Sequence, residues 1–249
     1  FGVALLLFGV GVEFSLFDLG RGALRGLGTR RGRHARESAR VVLEEVRRLF
    51  VHAGLTDVCS RLDLAWEFAG IINSELKALV EAGADYIQID EPSFAIIPGE
   101  LDEWIKLYNA SVDGVNAKLA LHVCFGNLAS RPRGNRTYRW MFPVLLQANA
   151  EQFVLEFANR EMSEIDLWSD ANVDRELGFG VVDVKSFYLE TPEDVAERIR
   201  EAIKYVSPDK LYINPDCGFF QLPRWLSYRK LESLVAGTRI VRRELEGTV

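Results

Sequence analysis

LALHVCFGN, residues 119–127, runs apolar for three positions and then places His122 and Cys124 one residue apart, just ahead of a glycine. Alternate residues of a strand point to one side, so an imidazole and a thiol at this spacing share a face at a strand end. Similar apolar runs recur along the chain. YIQID at 86–90, KLALHVC at 118–124, QFVLEFA at 152–158, FGVVDV at 179–184 and KLYIN at 210–214 read as strands. Helical patterns alternate with them: WEFAGIINSELKALVEAGA at 66–84, stopped by Gly83, YRWMFPVLLQANA at 138–150, a short helix near 163–168, PEDVAERIREAIKYV at 192–206, and a last helix over about 224–246. Near-continuously apolar strands alternating with helices predict a parallel sheet with helices outside it.

Asp90, His122, Cys124, Glu156, Asp183 and Cys217 all fall at the C-terminal ends of these strands. Converging polar strand ends favour an α/β fold of the closed (βα)8 TIM-barrel type, whose active site is assembled at that rim, over a doubly wound open sheet. No G-x-G-x-x-G or P-loop follows a strand, which counts against nucleotide binding.

The first 65 residues fit this scheme poorly. GRGALRGLGTRRGRHAR at 20–36 carries five glycines and six arginines without an apolar period. A helix at roughly 36–50 and strand-like pieces near 3–12 and 55–60 supply one or two further units, so six or seven of the eight are countable. The expected organisation is therefore an atypical segment over 1–65, part of the barrel or preceding it, and a catalytic barrel over 66–249. The chain opens on Phe1 rather than Met, the pattern of a fragment of a longer product.

With 249 residues, 48% hydrophobic and 27% charged, the composition is that of one soluble globular domain. Three scattered cysteines argue against a disulfide framework and for a reducing, cytoplasmic setting. Residues 1–50 hold nine Lys+Arg against five Asp+Glu, and the remainder 21 against 31, so the body of the chain is acidic. Such a body excludes nucleic acid and anionic membrane as expected partners. The opening run FGVALLLFGVGV is too short for a membrane span.

Taken alone, Cys124 and Cys217 fit small buried hydrophobes. Together with His122 and Glu156 they form the inventory of a zinc site, two sulfurs with a nitrogen and an oxygen donor. The motifs IQIDEP (87–92), HVCFGN (122–127), VLEFANRE (154–161), VVDVKS (181–186) and NPDCGF (214–219) occur in an order that resembles the catalytic barrel of cobalamin-independent methionine synthase, of the uroporphyrinogen decarboxylase-like superfamily. The resemblance covers about residues 66–246. It implies Zn2+ held by His122, Cys124, Glu156 and Cys217, with Glu156 the ligand most easily displaced, and Asp90 holding the amino group of homocysteine. Phe125, Gly126 and Asn127 depart from the Tyr and Ser usual in that family, and no folate-binding half is matched, so the methyl donor stays open between methyltetrahydrofolate and a methyl-corrinoid carried on a corrinoid protein.

The implied chemistry is methyl transfer to a metal-bound thiolate, since a free thiol, with a pKa of about 8.5, is mostly protonated at neutral pH. Asp90, Glu91 and Asp183 are candidate acids for the leaving group, with Asp90 and Asp183 taken as catalytic. Asp90, Glu91, Asn127 and Arg160 are the expected substrate-binding residues. Arg131, Arg133, Arg136 and Arg139 crowd the loop after HVCFGN and read as a solvated rim before a substrate clamp. Alternative readings are a zinc enzyme joining coenzyme M or another small thiol to an epoxide, and a degenerate barrel without turnover.

Overall fold

The computed structural model describes residues 61–91, 93–96, 101–127, 132, 135–219 and 222–247. The expected strands and helix ahead of residue 61, with His34, His52 and Cys59, lie outside the described residues, as do Arg131 and Arg133.

Five parallel strands are described, β1 (Tyr86–Asp90), β2 (Lys118–Val123), β3 (Gln152–Leu155), β4 (Glu176–Val182) and β5 (Leu211–Pro215), and they pair in sequence order. Helices connect them: α1 (Arg61–Glu81) leads into β1, the short α2 (Ser93–Ile96) and α3 (Leu101–Val112) lie between β1 and β2, α4 (Asp166–Asp170) between β3 and β4, α5 (Pro192–Ala202) between β4 and β5, and α6 (Arg224–Leu245) follows β5. The α/β class and the parallel sheet match the sequence expectation. Five strands are described where a closed barrel has eight.

Strand periodicity divides the sheet into two faces. Ile87, Ile89, Leu119, Leu121, Val123, Phe153, Leu155, Leu177 and Phe179 enter one core with the helices, including Val195, Ala196, Ile199 and Val241 from α5 and α6. The alternating residues Gln88, Asp90, His122, Gln152 and Val154 line a cavity on the opposite face. Register aligns Asp90 with His122 and His122 with Val154, so polar strand ends become neighbours in space. At the other end of the strands a polar layer joins all five: Tyr86 donates to Gln152, Gln152 to Glu176, Tyr212 to Glu176, and Lys118 to both Tyr212 and Glu176.

Local signals account for the helix limits. Gly83 adopts φ 100°, and the N–H groups of Gly83 and Ala84 bond Val80 and Leu79 carbonyls, which ends α1. Thr191 and Asp194 form a capping box before α5, with Pro192 in its first turn. No helix among the described residues is long and apolar enough to cross a membrane.

Two helical expectations are corrected. The pattern over 138–150 is a series of turns with one 3-10 turn, Val144–Gln147, because Pro143 has no N–H to donate and its ring crowds the preceding turn. The short helix near 163–168 runs from Asp166 to Asp170 instead. Helices α2 and α3 were not named by the pattern reading.

Candidate metal centre

His122 is the penultimate residue of β2, Cys124 follows that strand, and Cys217 follows β5. The chain thus brings donors from two strand ends, far apart in sequence, to one place: one ligand atom from each of the three lies within 4.8 Å of the others. Nδ1 of His122 is 2.9 Å from the Val154 carbonyl, which fixes the ring with Nδ1 as donor. In the neutral ring, the form that can take a metal, that leaves Nε2 as an acceptor. It is buried and makes no hydrogen bond.

The electrostatics follow from crowding two thiols and an imidazole out of water. Hydrogen bonding from Cys124 and the nearby His122 hold the Cys217 thiol well below its ordinary value, against the burial that opposes this. Cys124 is pushed well above it, first by Cys217 and then by burial. Burial alone would lower the His122 imidazole, but the Cys217 sulfur beside it outweighs that and lifts it to about 9. A dithiol–imidazole group with an orphaned ring nitrogen fits a zinc ion by donor softness and number.

Asp90 stands beside this group. Burial raises its carboxyl, and Gln88 Nε2 donates to it at 2.8 Å. Asp90, Gln88, His122, Asn214, Cys217 and Gly218 line a common cavity of about 360 Å³. Glu91 follows it, its N–H donated to the His122 carbonyl at 2.8 Å.

Glu156 is fully buried next to the group but is not one of its three donors. Its Oε1 accepts the Phe125 N–H at 3.1 Å, and its Oε2 is paired with the Lys185 ammonium. Asp183 does not line the cavity; it accepts the Lys185 N–H at 2.7 Å and the Asn159 side-chain amide. Asn127 donates to the Gly218 carbonyl at 2.8 Å, tying the His-x-Cys segment to the Cys217 turn, and its Oδ1 is buried without a partner. Arg160 lies over the Phe125 and Tyr138 rings, pairs with Glu164 and keeps Nη1 unpartnered. Arg136 and Arg139 are engaged by Asn159 and Asp166 on the rim.

Three residues that sequence reasoning passed over support the site. Lys185 holds Glu156. Asp216, buried beside Cys217, accepts the N–H groups of Phe157, Ala158 and Asn159 at 3.0, 2.9 and 2.6 Å. Tyr138 donates to the Val123 carbonyl and accepts the Glu156 N–H, both at 2.9 Å, bridging the ends of β2 and β3. Lys185 and Asp216 lie inside quoted motifs, which was the only signal for them.

The profile of the family described as "Cobalamin-independent synthase, Catalytic domain" matches residues 50–239. This chain belongs to that family. The methionine synthase of Sulfurisphaera tokodaii is 40% identical over 187 residues, 75% of this chain and 52% of that protein. The methionine synthase of Thermococcus kodakarensis is 41% identical over 186 residues, again 75% and 52%. The chain spans about half the length of these curated relatives. Among solved structures, a B12-independent methionine synthase from Shewanella sp. W3-18-1 in complex with selenomethionine is similar with a TM-score of 0.68 and 33% identity, covering 77% of this chain and 58% of that one. The match to the cobalamin-independent synthases opens at residue 50, ahead of the first quoted motif.

Proposed function

We propose that the chain carries the catalytic barrel of a zinc-dependent S-methyltransferase, in which the homocysteine sulfur accepts a methyl group from methyltetrahydrofolate or a methyl-corrinoid and leaves as methionine. The observation that carries this reading is the meeting of His122, Cys124 and Cys217 within 4.8 Å, in a chain whose relatives are named methionine synthases. Selenomethionine, a selenium analogue of the product, in the Shewanella relative supports it. In this reading the five strands belong to a (βα)8 barrel, with 66–249 as its catalytic part and the atypical 1–65 outside or at its opening. Two thiols needed in reduced form suit the cytoplasm.

His122, Cys124 and Cys217 would hold the ion, with Glu156 as the fourth and most easily displaced ligand. Bound there, zinc supplies the charge that keeps a substrate thiol ionised, and so nucleophilic, near neutral pH. The remaining work falls to the protein. Asp90, facing the cavity and oriented by Gln88, pairs with the ammonium group of homocysteine and sets the direction of its sulfur. Asn127 Oδ1 and Arg160 Nη1, each buried with a spare hydrogen-bonding atom, bind the rest of the substrate together with Glu91. Asp183 acts from the rim as the second catalytic carboxylate, held by Asn159 and the Lys185 N–H.

Metal content and a thiol titration test the proposal. One zinc per chain, with proton release on adding homocysteine but not coenzyme M, is the expected result. Release with coenzyme M alone would move the chain to epoxide-opening chemistry, and zinc without either response would make it a non-catalytic barrel.

A further inference from the structure

β3 ends at Leu155, and the next four N–H groups, those of Glu156, Phe157, Ala158 and Asn159, are taken up by side chains rather than by a neighbouring strand. Tyr138 Oη accepts the first at 2.9 Å, and Asp216 accepts the other three. Each acceptor is also tied to a second ligand segment. Tyr138 donates at 2.9 Å to the carbonyl of Val123, which directly precedes Cys124, and Asp216 directly precedes Cys217. One path made entirely of protein groups therefore runs from Cys124 through Val123, Tyr138, the turn 156–159 and Asp216 to Cys217. Tyr138 is 1% exposed and Asp216 0%, so water does not take the place of either acceptor. The path meets Glu156 at its backbone, which holds the Cα while the carboxylate changes partners.

We propose that Tyr138 is a positioning residue for the metal centre: its hydroxyl, with Asp216, clamps the ligand-bearing ends of β2, β3 and β5 at one spacing independently of the ion. The same clamp keeps the Glu156 backbone in place when its carboxylate yields to the substrate sulfur. This rests on the zinc reading above. Segments ordered by folding need not be ordered again by metal binding, and the affinity is higher by the ordering cost avoided.

The test uses the full chain. Tyr138→Phe keeps the ring against Phe125 and Phe157, at centroid distances of 4.5 and 6.1 Å, and removes only the hydroxyl. It should lower zinc affinity about 10–100-fold in competition with a chelator and shift the visible bands of the Co2+-loaded chain, which report the ligand set. Val195→Ala, in α5 and outside the three ligand segments, controls for stability alone. It should lower the unfolding midpoint and leave zinc affinity and cobalt bands unchanged. Wild-type affinity and bands in Y138F would overturn the proposal, as would equal changes in V195A. Amide exchange on the wild-type chain decides the matter if Y138F does not fold. The amides of 156–159 should be protected to the same degree with and without zinc; protection that arises only with zinc would mean that the ion, not the clamp, orders the turn. Failure of the zinc reading looks different: the wild-type chain would show no cobalt–thiolate absorption, with those amides still protected.

Discussion

Gly180 and Asp216 occupy one space: a Cβ on Gly180 would lie 2.3 Å from Asp216 Oδ1 and 2.9 Å from Asp216 Cα. Asp216 in turn holds the turn after Glu156 through three N–H groups, one residue ahead of Cys217. Backbone as well as carboxylate must move to admit a methyl group. Gly180→Ala should therefore cost about 1–3 kcal/mol in urea unfolding and weaken zinc binding by displacing Cys217. Wild-type stability in this variant would show that the approach is not tight.

Cys217 joins the two halves of the proposed zinc group, since His122 and Cys124 both come from the end of β2. Replacing it with serine keeps the volume and removes the ionised sulfur. Zinc affinity should fall by at least about 100-fold, measured by competition with a chromogenic chelator. A full equivalent of zinc retained against that chelator counts against the assignment.

The strands were legible in sequence because apolar runs bounded by Gly, Pro and Asp hardly fit anything else, and the His122/Cys124 spacing had meaning once β2 was a strand. Helix α3 carried its own signals, with Leu101, Ile105, Tyr108 and Val112 at helical spacing and Asp102 and Glu103 in its first turn, yet it went unnamed beside the more conspicuous IDEP motif. Over 138–150 the apolar period outweighed Pro143, wrongly. The engagement of Glu156 was illegible: Lys185 is 29 residues away, and only the pairing of β3 with β4 brings the two together. Asp216 is the same case, its three donors lying 57 to 59 residues back.

Burial raises the Glu164 carboxyl, but the Thr137 hydroxyl, the Tyr138 N–H and Arg160 outweigh it and hold the group below its ordinary value of 4.5. A folded-state value below the unfolded one gives stability that is complete above about pH 4.5 and drains away as pH falls through the depressed value. Glu164→Gln should cost about 1–3 kcal/mol at neutral pH, the loss of charged hydrogen bonds, and flatten that acid limb. Chemical denaturation at a series of pH values measures both. An acid limb of unchanged steepness in the variant would remove Glu164 as its source.

Lys230 is 0% exposed and donates to Glu190 Oε2 at 2.7 Å, to the Asp183 carbonyl at 2.9 Å and to the Tyr188 carbonyl. Glu190 Oε1 also accepts the Asp183 N–H at 2.9 Å, so α6 fastens the segment 183–190 at both ends through one buried pair. Lys230→Met preserves the bulk but leaves a buried carboxylate whose remaining cation, Arg198, is 3.5 Å away. We expect a loss of about 3–5 kcal/mol and faster amide exchange confined to 183–190, since the core residues of β4 keep their packing. K230M/E190Q should recover part of that stability, because the uncompensated charge is gone, without restoring the exchange protection that the lysine's bonds to two carbonyls provide. Equal losses in the single and double variants would mean that the segment is held by packing rather than by the ion pair.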